Sequence, residues 1–166
     1  MKFTVEHTYD HPTDAVFAVL TDYDAVKAKY EAIGQHDIEL VRRDEGDDAS
    51  VTIVTKRTVP IDVPGFAKKV LSPSQTVTQT DAWDAPDDSG ARTGHVSVES
   101  KGTPVKVSGK VQLSPDGAGA CRNVSEIDIE CKVPLIGGKI ADFVSKDARA
   151  ATDHEQTWIR ERLAKD

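Results

Sequence analysis

The C-terminal segment limits the possible folds most. Pro134-Leu135-Ile136-Gly137-Gly138-Lys139-Ile140 opens a stretch that reaches about Leu163 with the periodicity of a single helix. Its apolar positions are Ile136, Ile140, Phe143, Val144, Ala148, Ala151, Trp158 and Ile159. At about 100° per residue they fall on one broad face. A helix of about 25 residues is about 38 Å long at its rise of about 1.5 Å per residue, enough to cross a whole sheet. The spacing predicts one helix over 136–162, and a broad apolar face of that length must be covered by another layer.

The rest of the chain supplies strands. Phe3, Val5, His7 and Tyr9 alternate with Thr4, Glu6 and Thr8, the period of a half-buried strand. Asp10-His11-Pro12 ends it, and Pro12 suits the first turn of a short helix whose stripe is Val16, Val19 and Leu20. A second short helix follows. Thr21 is placed to cap it, Tyr23, Val26, Tyr30 and Ile33 form its stripe, and Gly34 stops it. From 36 to 133 the pattern is mostly strand. Asp44-Glu45-Gly46-Asp47-Asp48 turns between Ile38-Leu40 and Val51–Val54. Gln75–Trp83 and Gly94–Ser100 flank a polar loop, and Ser114-Pro115-Asp116-Gly117-Ala118-Gly119 leads to a last long strand over 120–133. Successive strands joined by short turns favour an antiparallel meander. The expectation is an α+β chain with a curved seven-stranded antiparallel sheet, two short helices and one long C-terminal helix, all in a single domain over 1–166.

Composition excludes several function classes. Acidic residues outnumber basic ones 28 to 21, a formal charge of -7. Nucleic-acid phosphates are bound by Lys and Arg, so no nucleic-acid partner is expected. The same excess disfavours adsorption to anionic headgroups. No run of about 18 apolar residues exists, so no stable membrane insertion is expected. The opening residues carry no unbroken apolar stretch of a signal peptide. Cys121 and Cys131 fall on one strand about 33 Å apart, beyond disulfide reach, and Cys131 has the parity of core residues Ile127 and Ile129. A reducing, cytoplasmic setting fits.

Specific motifs add little chemistry. His7 and His11 are four apart, but on a strand and turn rather than a helix, so no metal is expected. Gly117-Ala118-Gly119 lacks the third glycine of a dinucleotide loop. No G-x-S-x-G elbow is present. Gly137-Gly138 opens a helix; it either receives a phosphate or lets the helix start pack closely on a strand end. No cofactor is expected.

The order β-α-α-β6-α, with His7-Thr8-Tyr9-Asp10-His11-Pro12 followed by Ala15–Asp22, resembles the START/polyketide-cyclase, or helix-grip, superfamily. Leu20-Thr21-Asp22, Val63-Pro64-Gly65-Phe66-Ala67-Lys68-Lys69 and Lys132–Ile140 are similar to an uncharacterised START-like family classed as a domain of unknown function. The resemblance covers nearly the whole chain. It implies a cavity between sheet and helix, which superfamily members use to hold lipids, polyketides, quinones or hormones. It carries over no catalytic residues.

On that footing the expected partner is a hydrophobic small molecule, bound without chemistry. The ligand-binding candidates are His7, Ile61, Phe66, Ile140, Phe143, Asp147, Ala151, His154 and Trp158. Asp147 and His154 are two turns apart on one helical line, with Glu155 bordering the other side of the apolar arc. A carboxylate in a dry core is costly, so Asp147 either meets a partly wet cavity or pairs with a sheet cation. Val59-Pro60-Ile61-Asp62-Val63-Pro64-Gly65-Phe66 is a loop with large apolar side chains. It serves either as a lid or as a segment packed back on the core. The alternatives to a binder are a cyclase or dehydratase using Asp147 or His154 as acid or base, and a protein-interaction module.

Overall fold

The strand alternation and the long helix meet in one two-layer arrangement. The computed structural model describes residues 1–165. The elements are β1 (Lys2–Tyr9), α1 (Thr13–Thr21), α2 (Tyr23–Ala32), β2 (His36–Glu45), β3 (Val51–Pro60), β4 (Ser74–Trp83), β5 (Arg92–Ser100), β6 (Val105–Pro115), β7 (Cys121–Cys131) and α3 (Gly137–Ala164). One turn of 3₁₀ helix at Gly65–Ala67 interrupts the β3–β4 connection. All seven strands form one antiparallel sheet in the order β1-β7-β6-β5-β4-β3-β2. This is the expected helix-grip plan.

The sheet's two edges come from its first two strands. β1 pairs with β7, with Val5 opposite Ser125 and Tyr9 opposite Cys121. The α1–α2 pair therefore carries the chain from one edge to the other. β2 is the second edge, nearly all exposed, with register shifts after His36 and Leu40. Its charges, among them Arg42, Arg43 and Asp44, suit an edge that must not recruit another strand.

Caps differ in one detail from expectation. Asp22, rather than Thr21, caps α2, its Oδ2 accepting from Ala25 N at 2.9 Å. Thr21 is buried and its hydroxyl donates back to Phe17 O at 2.9 Å. Gly34 ends α2 with φ at +91°, a left-handed conformation that glycine adopts freely.

Two core clusters bracket the sheet's inner face. One holds Tyr9, Phe17, Trp83, Leu113, Cys121, Ile159 and Leu163. The other holds Phe3, Val5, Ala67, Leu71, Ile129, Ile140 and Ala141. α3 thus contributes to both, through opposite ends. Between them the helix stands off the sheet, and that gap is the cavity described next. At the start of α3, a Cβ on Gly137 would sit 2.3 Å from Cys131 O, whereas one on Gly138 would meet nothing. The Gly137-Gly138 pair therefore serves close packing of helix start on strand end.

Candidate functional site

The cavity lies between the sheet and the middle of α3 and has a volume of about 300 Å³, at the small end for small-molecule sites. Strand alternation decides what faces it. Odd positions of β3, β4, β6 and β7 and even positions of β5 point inward, as do Phe3, His7 and Tyr9 of β1. Much of this lining is aliphatic: Val77, Val96, Val98, Val105, Val107 and Ile127.

One end is charged. On the inner face of α2, Lys29 is buried, and its Nζ lies 3.1 Å from Glu155 Oε2 of α3. Tyr30, beside it, lies under two cations: Lys29 Nζ at 4.5 Å and Arg57 Cζ at 3.8 Å from its ring centroid. Arg57 donates from Nε to Gln35 Oε1 and from Nη2 to Gln79 Oε1 at 2.8 Å. The Tyr30 hydroxyl donates to the same Gln79 oxygen at 3.2 Å. The Gln79 amide nitrogen in turn donates to both Asp81 oxygens at 3.1 Å.

Electrostatics follow from this packing. Burial opposes the Lys29 charge, yet Glu155, with Tyr30 and Asp81 behind it, more than offsets that and holds the ammonium above its ordinary pKa. Burial pushes the Tyr30 hydroxyl up and raises the Asp81 carboxyl, against the pull of Gln79, Lys29 and Arg57. Burial also lifts the Tyr9 hydroxyl to about 12. The Cys121 thiol is raised to about 11 by burial, and Cys131 is raised for the same reason. Neither cysteine has the lowered pKa of a nucleophile. Among the described residues no group of three His, Cys, Asp or Glu side chains is placed to hold a metal ion.

The residues singled out from sequence separate into two groups. His7, Ile61, Asp147 and Ala151 line the cavity. His7 Nε2 also lies 3.2 Å from Asp153 Oδ1, joining β1 to α3. Asp147 sits at the rim, largely exposed, and desolvation of its inward side raises its carboxyl pKa. Ile140 is fully buried in the second core cluster and Phe143 packs on its edge. Neither lines the cavity. Val59, Ile61 and Leu71 place the β3–β4 connection at the cavity wall, but Phe66 is 43% exposed, with Lys139 Nζ 5.4 Å from its ring centroid.

The expectation that Asp147 and His154 share the cavity with Trp158 closing one end needs correction. His154 is exposed, and Trp158 packs against the first core cluster instead. The reason is rotational. The buried line of α3 runs through Ala141, Ser145, Ile159 and Leu163. At about 100° per residue, His154 lies about 140° round the helix from Ile159 and Asp147 about 120°. The seven-residue spacing does align the two, but along the helix flank. The neighbours that face the cavity are Ala148, Thr152, Glu155 and Gln156.

Sequence reasoning placed Glu155 only at the border of the arc and missed Lys29, Arg57, Gln79 and Asp81. A signal was present. Arg57 has the parity of Val51 and Ile53, and Gln79 and Asp81 that of Val77 and Trp83. Charged and amide groups in phase with core residues on two adjacent strands mark a polar interior.

Comparison with known proteins gives the same frame. A model of a protein family of unknown function (DUF2505) matches residues 4–163. Uncharacterized proteins of Mycobacterium tuberculosis and Mycobacterium bovis are 26% identical over 117 residues, covering 69% of this chain and 67% of theirs. Among solved structures, the ZhuI aromatase/cyclase from Streptomyces sp. R1128 superposes with a TM-score of 0.67 at 15% identity, covering 99% of this chain and 94% of that one. A START superfamily protein from Mycobacterium smegmatis gives 0.59 at 11%, covering 99% and 97%. Human STARD10 gives 0.65 at 12%, covering 95% and 62%. At these identities the likeness is one of fold, and the fold is START-like. Among the described residues no helix is long and apolar enough to cross a membrane.

Proposed function

The chain belongs to the DUF2505 family, and we propose that it binds an amphipathic small molecule, such as a lipid, quinone or polyketide-like compound, between the sheet and α3. One observation carries this reading: a cavity of about 300 Å³ with an aliphatic body and a charged end. Apolar pockets with a few convergent polar groups are what such ligands need. The ligand's body would lie along Val98, Val107 and Ile127, with its polar end toward α2. His7, Ile61, Asp147 and Ala151 would touch it directly. Ile140, Phe143 and Trp158 would support the walls from the core, and Phe66 and His154 would act only from outside.

The reading is of a binder rather than an enzyme. Lys29 is paired with Glu155, and Asp81 accepts from the neutral Gln79 amide, so these carboxylates are held by neighbouring groups rather than aimed with a second acid or base at one point of the cavity. The sequence alternative, a cyclase or dehydratase using Asp147 or His154 as acid or base, is left with Asp147, because His154 does not line the cavity. The structures named as a START superfamily protein and STARD10 share this fold, and the START resemblance implies a ligand held between sheet and helix, a use that the cavity here would allow. Continuity of one sheet from β1 to β7 supports a single domain over 1–166. Free thiols at Cys121 and Cys131 support a reducing, cytoplasmic setting.

The test uses the tryptophans. Trp83 lines the cavity and stacks edge-on against Phe17 at 5.5 Å, whereas Trp158 does not line it. In a Trp158→Phe variant the remaining indole reports on occupancy. Titration with the neutral probe N-phenyl-1-naphthylamine should change Trp83 emission saturably, with one site per chain. Native mass spectrometry of the protein as purified should show a bound small molecule or accept the probe at one copy. Absence of saturable binding by both measurements would end the proposal.

A further inference from the structure

Arg57 leaves the charged end of the cavity incomplete. The residue is 6% exposed. Its Nε and Nη2 donate to neutral amide oxygens, those of Gln35 and Gln79, and its Nη1 is buried without a hydrogen-bond partner among the described residues. Lys29 has Glu155 at 3.1 Å, but no salt bridge to Arg57 is formed among the described residues. A buried cation answered only by amides and one aromatic face is costly, and a free N–H adds to that cost. Arg57 also lines the cavity, so the residue that carries the unanswered donor borders the space a ligand would occupy.

We propose that this end of the cavity is a carboxylate subsite, in which Arg57 receives the acid group of a monocarboxylic amphiphile whose tail lies among Val77, Val98 and Val107. The inference rests on the cavity being a binding site and adds the class of ligand. Guanidinium matches carboxylate in geometry and prefers it as a partner in dry surroundings. The amides of Gln35 and Gln79 hold the guanidinium in place, and the Tyr30 ring backs its face, so the group is preorganised. Charge selects a monoanion. Lys29 and Arg57 balance Glu155 and Asp81 when all are ionised. Lys29 is already paired with Glu155 and Asp81 with the Gln79 amide, whereas Arg57 has no carboxylate within salt-bridge distance among the described residues. A phosphate dianion would bring a second negative charge beside Glu155.

Four probes with one tail separate the possibilities: decanoic acid, 1-decanol, methyl decanoate and decyl phosphate, with binding read by displacement of N-phenyl-1-naphthylamine. The wild-type chain should bind the acid at least about tenfold more tightly than the alcohol or ester, a difference a charge-assisted pair readily supplies. Arg57→Gln should abolish that preference, bringing acid affinity down to the level of the alcohol measured in the same variant. A second measurement needs no variant. The ¹³C carboxyl resonance of bound [1-¹³C]decanoic acid should stay in its ionised position at a pH below the titration of the free acid. Equal affinity for acid, alcohol and ester, or a bound carboxyl that titrates at or above the free value, would overturn the subsite and leave the cavity reading intact. Tighter binding of decyl phosphate than of the acid would overturn the carboxylate assignment. Failure of all probes to bind would remove both readings.

Discussion

Removing the Glu155 charge is the sharpest perturbation of the cavity's polar end. Lys29 has a side chain 8% exposed and Glu155 one 26% exposed, so the pair is asymmetric in its access to water. Glu155→Gln leaves the ammonium buried with a neutral partner. Breaking a buried pair from one side costs about 3–5 kcal/mol, because an uncompensated charge remains. Lys29 can shed part of that cost by losing its proton, so the low end, about 3 kcal/mol, is expected. For a chain of this size that lowers the melting temperature by about 6–12 °C. Lys29→Met leaves Glu155 free to turn toward solvent and should cost less, about 1–2 kcal/mol. The double variant should cost little more than Lys29→Met alone, so the cycle should return a coupling of about 2–3 kcal/mol. The pH dependence has a definite sign. The folded-state pKa of Lys29 lies above its ordinary 10.5. Its contribution is therefore whole below that value and is lost as pH rises through the higher folded value. Calorimetry of the four proteins at neutral pH and again in the alkaline range checks both statements. An additive cycle, or a Glu155→Gln protein that melts within about 2 °C of wild type, would show that the pair is not coupled as its geometry requires.

Other sites give independent outcomes. Gly137→Ala should destabilise by about 2 kcal/mol or more, because its Cβ meets Cys131 O, whereas Gly138→Ala should be neutral or slightly stabilising; thermal unfolding of the pair reads the contrast. Asp22→Ala should cost about 1 kcal/mol by removing the α2 cap, measurable by urea unfolding. Asp147→Asn should raise the melting temperature at neutral pH. Desolvation raises its folded pKa above 3.8, so its contribution to stability declines as pH rises through that pKa, and the amide abolishes the decline. His154→Gln, on an exposed flank, should change stability by no more than about 0.5 kcal/mol and leave probe occupancy in the Trp83 assay unchanged.

Most of the architecture was legible because backbone periodicity carries it. The alternation of Phe3, Val5, His7 and Tyr9 specifies a strand and its inward face, and that face is the one observed. The long helix, expected over 136–162, spans Gly137–Ala164. The α3 azimuth was less legible. Ile140, Phe143 and Trp158 are large apolar residues on one line, and weighting them drew the inward direction toward that line. Small residues share the observed inward face: Ala141 and Ser145 are buried and Ala148 lines the cavity, while Phe143 packs on the edge of the second core cluster. A hydrophobicity count underweights alanine and serine, although a close helix–sheet approach requires them.

The polar end of the cavity was hidden for a different reason. Lys29 lies one position from Tyr30 in α2, where a surface lysine is ordinary, and nothing in a one-dimensional reading pairs it with Glu155 far along the chain. The two meet because α2 and α3 pack on the same cavity. Arg57, Gln79 and Asp81 needed only strand parity. With Val51 and Ile53 buried, Arg57 two steps further on must also point inward, and Trp83 imposes the same on Asp81 and Gln79. Placing charge at such positions works against stability unless each group finds a partner. Lys29 and Asp81 find theirs within the protein. Arg57 keeps one buried nitrogen unanswered among the described residues, a cost that the proposed carboxylate ligand would offset.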